Sequence, residues 1–240
     1  LSSLAIVGSL ATNLPSYART ENNESQKLDD VLQSITADIE PISVSERESR
    51  IAKAQRLLQE QKMEALVLDC GTSLEYFTGI SWWPSERTMV AILPAKGTIK
   101  YICPAFEEPR LREKISIGKD VFSWQEDESP YHLIASIFKN GGILTGTIAV
   151  EEKVRFFIMD GIQKEAPHLT YVSADPITIP CRIIKSQAEI KLMQKASDIT
   201  IAAIEHCVKQ LREGMTQAEL SAMIMKAQNE LGGNADFALC

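Results

Sequence analysis

Apolar and polar positions divide the chain into a stretch alternating between strands and amphipathic helices and a later stretch where only helix is legible. Ile51, Ala54, Leu57 and Leu58 recur at helical spacing and predict a helix over 43–62. Ala65-Leu66-Val67-Leu68 follows without strict alternation, as expected of a strand buried on both faces. Strand patterns over 88–94 and 98–103 flank the turn Ala95-Lys96-Gly97 and predict a hairpin. A charged helix is expected from Pro104 to near Ile117, then a strand over 120–124 and a helix over 130–139, ended by Gly141-Gly142. A strand over 147–151, a helix over 155–164 and a strand over 169–172 complete the alternation. This pattern predicts an α/β fold, a mixed β-sheet flanked by helices on both faces.

The pattern changes at Arg182-Ile183-Ile184-Lys185-Ser186-Gln187-Ala188-Glu189-Ile190. Ser186 reads as an N-cap, with Glu189 at the third helical position to complete a capping box. Leu192, Met193, Ala196, Ile199, Ala203, Ile204, Cys207, Val208 and Leu211 then mark one apolar face. The helix is expected to reach about Arg212, roughly 39 Å at 1.5 Å per residue. Gly214 reads as the residue just past a helix end, and Thr216-x-x-Glu219 as a second capping box. It opens a helix over 217–231, ended by Gly232-Gly233. The change near residue 181 reads as a domain boundary.

The N-terminal region is different. Residues 1–18 are apolar and small, and Ser16 and Ala18 stand three and one positions before Arg19, the pattern of an export-signal cleavage site. Export to a periplasmic or extracellular location is expected, with the cytoplasm as the alternative. Residues 19–43 read as a polar linker followed by a short helix over 28–39. The chain begins at Leu1 and stops inside the apolar run Phe237-Ala238-Leu239-Cys240, as a piece of a longer protein would.

Charge and composition narrow the classes. A net charge of −7 argues against a nucleic-acid or anionic-membrane surface, since phosphate binding needs clustered Lys and Arg. No apolar run reaches the roughly 20 residues of a membrane span. The five cysteines lack Cys-x-x-Cys spacing. Cys70 and Cys103 fall on or near core strands and Cys207 on an apolar helix face, so buried thiols are expected. His132, His168 and His206 are scattered, and no nucleophile elbow, phosphate loop or dinucleotide fingerprint is present.

Several stretches resemble the creatinase/prolidase family, the pita-bread metallopeptidases. Arg-x-x-Lys-Ser-x-x-Glu-Ile at 182–190 is similar to the stretch joining that family's smaller N-terminal domain to its catalytic domain. Tyr76-Phe77-Thr78-Gly79, Pro104-x-Phe106-Glu107-x-x-Arg110, the strand Ile148-Ala149-Val150-Glu151 and Gly214-x-Thr216-x-x-Glu219-Leu220 resemble further family segments, so the likeness runs over 44–240. It implies a creatinase/prolidase-like N-terminal domain over 44–180 and an incomplete pita-bread α+β domain over 181–240. The implied activity is metal-dependent hydrolysis of Xaa-Pro bonds in short peptides by a homodimer. Two divalent ions (Mn, Co or Zn), bound by two Asp, one His and two Glu, would lie beyond residue 240. No catalytic or metal-binding residue is expected in this chain, which should be inactive alone.

Within this resemblance, Trp82-Trp83-Pro84-Ser85-Glu86-Arg87 is similar to the loop that overhangs the neighbouring subunit's active site. Arg87 is thereby the expected ligand for a substrate carboxylate, which a guanidinium holds with two parallel hydrogen bonds. Trp83 and Glu86 would line the entrance, so that this part serves dimerisation and substrate gating. The competing reading is a surface Glu86–Arg87 ion pair with Trp83 packed as core. Alternatives for the whole are a creatinase-like amidinohydrolase or a non-catalytic pita-bread interaction module.

Overall fold

The computed structural model describes residues 32–236 and 238. The expected export segment, the linker over 19–27, the start of the 28–39 helix and Cys240 lie outside the described residues.

Six strands form one mixed sheet: β1 (Ala65–Asp69), β2 (Val90–Pro94), β3 (Lys100–Pro104), β4 (Asp120–Trp124), β5 (Thr147–Val150) and β6 (Thr170–Ser173). Their spatial order is β4-β3-β2-β1-β5-β6. The β1–β2 and β2–β3 pairs are antiparallel, while β3–β4, β1–β5 and β5–β6 are parallel. β1 is central and every one of its residues is buried, as its unbroken apolar run predicts.

Successive strand residues face opposite layers. Leu66, Leu68, Ala91, Leu93 and Tyr101 pack against α1 (Val44–Glu60), α2 (Thr72–Thr78), α3 (Glu108–Lys114) and α6 (Asp175–Arg182). Ala65, Val67, Val90, Ile92 and Ile102 pack against α4 (Pro130–Asn140) and α5 (Phe156–Glu165). Ser43 and Ser129 cap α1 and α4 by accepting bonds from the backbone N–H of Glu46 and His132.

Two later helices, α7 (Gln187–Val208) and α8 (Gln217–Glu230), pack on each other through Ile199, Ala203, Cys207, Ala227 and Leu231. Both expected capping boxes are present. The expected apolar face of α7 is only partly buried: Met193, Ile204, Val208 and Leu211 stay exposed, because α8 covers just the Ile199–Ala203–Cys207 strip.

Other boundaries also move. α7 ends at Val208 rather than Arg212, because the chain tightens into i→i−3 bonds from Gln210 to Cys207 and from Leu211 to Val208. Gly214 therefore does not cap it, but sits in a turn at φ 83°. The charged segment after β3 begins as a 3₁₀ turn, Ala105–Glu107, and its helix stops at Lys114, where Ile115 turns extended. The described part of the 28–39 segment is not helical: Ile35 N–H donates to Leu231 C=O at 3.1 Å and Asp38 pairs with Lys195 at 2.8 Å, tying it to α8 and α7. No helix among the described residues is long and apolar enough to cross a membrane.

Candidate functional site

The sheet order gathers one set of loops along a single edge. The C-terminal ends of β1, β3, β4, β5 and β6 lie there, together with the start of β2, because Asp69 pairs with Val90 and Pro104 with Trp124. In open α/β sheets this is the edge at which ligands bind. It carries the 80–89 loop with Trp83, Glu86 and Arg87, the turn after β3 with Phe106, the loop after β4 with Glu126, and Arg155 from the loop after β5.

Arg87 is the most engaged of the three expected site residues. Its Nε donates to Glu126 Oε1 at 2.8 Å and its Nη2 to Glu126 Oε2 at 3.2 Å, a bidentate grip on a carboxylate. Its Nη1 donates to Glu86 Oε1. The guanidinium carbon lies 5.2 Å from the centre of the Phe106 ring. The bond to Glu126 raises the Arg87 pKa, and the same bond lowers that of Glu126.

Trp83 is 85% exposed and Glu86 is also exposed, so both project from the loop. The competing reading is half right: the Glu86–Arg87 pair exists, but Trp83 is not core. Trp82 takes that place, 8% exposed, with Arg110 4.6 Å from its ring. A chain with two adjacent tryptophans gives no local signal of which one turns inward. Glu107 and Arg110 pair at 3.2 Å.

Glu126 and Arg155 are neighbours of the candidate site that sequence reasoning missed. Arg155 Nε and Nη2 grip Asp69 at 2.8 and 3.1 Å, and Nη1 donates to the backbone carbonyl of Ser85 in the loop. Asp69 is almost fully buried and also accepts from the Cys70 N–H at 2.7 Å. Burial opposes the Arg155 charge, but the Asp69 carboxylate outweighs it and raises the pKa. Arg155 thus fastens the loop that presents Trp83 and Arg87 to the end of the central strand.

No cluster of three or more His, Cys, Asp or Glu is placed to hold a metal ion among the described residues. His132 is exposed and lies 3.2 Å from Glu165, and His206 bonds to Gln210. The described residues therefore present a carboxylate-gripping, aromatic-rimmed edge.

A mixed six-stranded sheet flanked by helices, carrying such a loop edge, defines an α/β domain. The chain belongs to the creatinase/prolidase N-terminal domain family, whose model matches residues 50–184. It is 30% identical over 201 residues to an uncharacterized peptidase of Schizosaccharomyces pombe, covering 77% of this chain and 43% of that one. A crystal structure of a dipeptidase from Pyrococcus horikoshii OT3 superposes with a TM-score of 0.67 at 27% identity, over 76% of this chain and 50% of that one. A recombinant prolidase from Thermococcus sibiricus shares the fold, with a TM-score of 0.72 at 23% identity, over 82% of this chain and 52% of that one. The chain spans about half the length of the curated relatives it matches, 43% and 48% for two of them.

Proposed function

We propose that this chain is the N-terminal portion of a metal-dependent peptidase that hydrolyses Xaa-Pro bonds in short peptides. Residues 44–180 would form the N-terminal domain and 181–240 would open the catalytic domain. The observation that carries this reading is the Arg87 guanidinium, which already grips a carboxylate on two donors at an exposed, aromatic-rimmed edge. That is the chemistry needed to hold the C-terminus of a dipeptide. Family membership and the similarity to a dipeptidase of known structure support the reaction class.

In this reading the protein is a homodimer, and Trp83, Glu86 and Arg87 line the entrance to the partner's active site, restricting substrate length. The exposed Met193, Ile204 and Val208 on α7, with Leu211 just beyond it, would be covered by the rest of the catalytic domain, which would also supply the ligands for two divalent ions, Mn, Co or Zn. The described residues do not fit a metal site, so no metal step is assigned to them. Export, resting on Ser16 and Ala18, is part of the same proposal.

The test is hydrolysis of Ala-Pro by the native-length protein. Activity that disappears with a chelator and returns with Mn, Co or Zn is expected, with a raised KM for Arg87→Gln. A native-length protein inert toward Xaa-Pro peptides with all three metals would refute the reading.

A further inference from the structure

We infer that Glu126 is a built-in competitor at the Arg87 site: it occupies the position of a substrate carboxylate and yields it only to a peptide bringing a free carboxylate of its own. The inference rests on the reading of Arg87 as the substrate-carboxylate ligand.

A guanidinium has five N–H donors. Glu126 takes two of those on Arg87, at 2.8 and 3.2 Å, along the Nε–Nη2 edge, and Glu86 takes one on Nη1. One donor remains on each of Nη1 and Nη2. The charges work against using that remaining pair directly. A single cation already lies between two carboxylates, and the negative field of Glu107 also reaches it. A third carboxylate arriving at this group meets net negative charge. One that replaces Glu126 leaves the charge count unchanged and inherits a side-on fork of the right shape.

Replacement is also mechanically easy. The Glu126 side chain is 60% exposed, so the displaced carboxylate is hydrated by water, and an exposed ion pair of this kind is weak. Arg87 keeps its position without Glu126, because its ring contact with Phe106, its bond to Glu86 and the 3.2 Å bond from its backbone N–H to Ser85 Oγ do not involve that residue. A peptide with an amidated C-terminus carries no charge to exchange, and the Glu126–Arg87 pair excludes it from the fork.

The test is steady-state kinetics of the native-length protein on Ala-Pro and on its C-terminal amide, with an inhibition constant replacing KM if the amide is not cleaved. Glu126→Gln is expected to lower the Ala-Pro constant by about three- to five-fold, the scale of an exposed ion pair, and to move the amide by less than about two-fold. Arg87→Gln is expected to raise the constant for the free acid and not for the amide. An unchanged or raised Ala-Pro constant in Glu126→Gln, with Arg87→Gln still selective for the free acid, overturns the Glu126 inference alone. Loss of that selectivity in Arg87→Gln, or no turnover of Ala-Pro at all, overturns the Arg87 reading and this inference with it.

Discussion

The hydroxyl of Ser186 donates a hydrogen bond of 2.8 Å to the carboxylate of Glu46, 140 positions earlier in the chain. The same oxygen accepts from Glu189 N–H at 3.1 Å as the α7 cap, while Glu189 returns to Ser186 N–H at 2.8 Å and also lies 3.4 Å from Arg50. Arg50, buried on α1, holds Glu46 and the Tyr76 carbonyl and stacks 4.1 Å from the Tyr76 ring. The Lys-Ser-x-x-Glu motif thus does more than start a helix. It joins α7 to the first helix of the sheet domain.

Acid should loosen this joint in a specific window. Partial burial pulls the Glu46 pKa upward, but the Ser186 hydroxyl and Arg50 outweigh it and hold it below its ordinary value of 4.5. A carboxylate that is harder to protonate folded than unfolded contributes stability above its unfolded pKa, and loses it as pH falls through the folded value. Ser186→Ala is expected to cost about 1 kcal/mol or slightly more near neutral pH through the lost cap and the lost Glu46 bond. The gap from wild type should narrow, without closing, as pH drops below about 4.5. Urea midpoints measured across that range decide it, and a gap independent of pH would remove Glu46 from the account.

The Thr78-Gly79 pair of the family-like stretch has a specific physical requirement. Gly79 closes α2 at φ 79°, and a Cβ there would lie 2.4 Å from Arg47 Nη1. Gly79→Ala should therefore cost about 1–2 kcal/mol, the left-handed backbone supplying about 1 and displacement of the flexible Arg47 head the rest. In an Arg47→Ala background the penalty should shrink toward the backbone part alone. Equal penalties in both backgrounds, read from denaturant unfolding, would show that the Arg47 contact is irrelevant.

Burial pushes the thiols of Cys70 and Cys103 up to about 12, helped by the charges of Asp69 and of Glu108 and Glu107 respectively. At pH 8 only about one such thiol in ten thousand is ionised, and the thiolate is the reactive form. Cys181 and Cys207 are buried as well. Iodoacetamide applied to the native protein and followed by peptide mapping should leave all four unmodified, with labelling appearing only on denaturation. Prompt native labelling of Cys70 or Cys103 would contradict the packing described for β1 and β3.

The elements were legible where side-chain period and caps act locally. The unbroken run at Ala65–Leu68 gave a central strand, and Ser186 and Thr216 gave both capping boxes. α6 was not legible, because Pro176 and Pro180 fall within its eight residues and read as breaks. The 28–39 helix is absent from the described part: Leu28, Leu32, Ile35 and Ile39 repeat at helical steps, yet the bond from Ile35 to Leu231 and a turn closed by Ile39 N–H to Thr36 C=O take 32–39 out of a helix. Arg87 and Trp83 were reachable only through resemblance. Their true neighbours were not, since Glu126 lies 39 positions from Arg87, and Arg155 lies 70 from Ser85 and 86 from Asp69. Only the crossover order of the sheet brings those loops together, and hydropathy carries no record of that order.

Arg155 offers the strongest test of how the edge is built. Its guanidinium neutralises Asp69, whose side chain is only 2% exposed, and its Nη1 holds the Ser85 carbonyl. Arg155→Met leaves a buried carboxylate with backbone N–H donors alone, and is expected to cost about 3 kcal/mol. Adding Asp69→Asn removes the orphaned charge and should restore part of that loss, which a double-mutant cycle measures directly. The loop gives a second, independent readout. Arg87 follows Ser85 by two residues, so freeing the Ser85 carbonyl should speed tryptic cleavage after Arg87 under native conditions, and Asp69→Asn should not reverse that gain. Unchanged cleavage in Arg155→Met, whatever the stability loss, would mean that Arg155 serves the core and leaves the loop to hold itself.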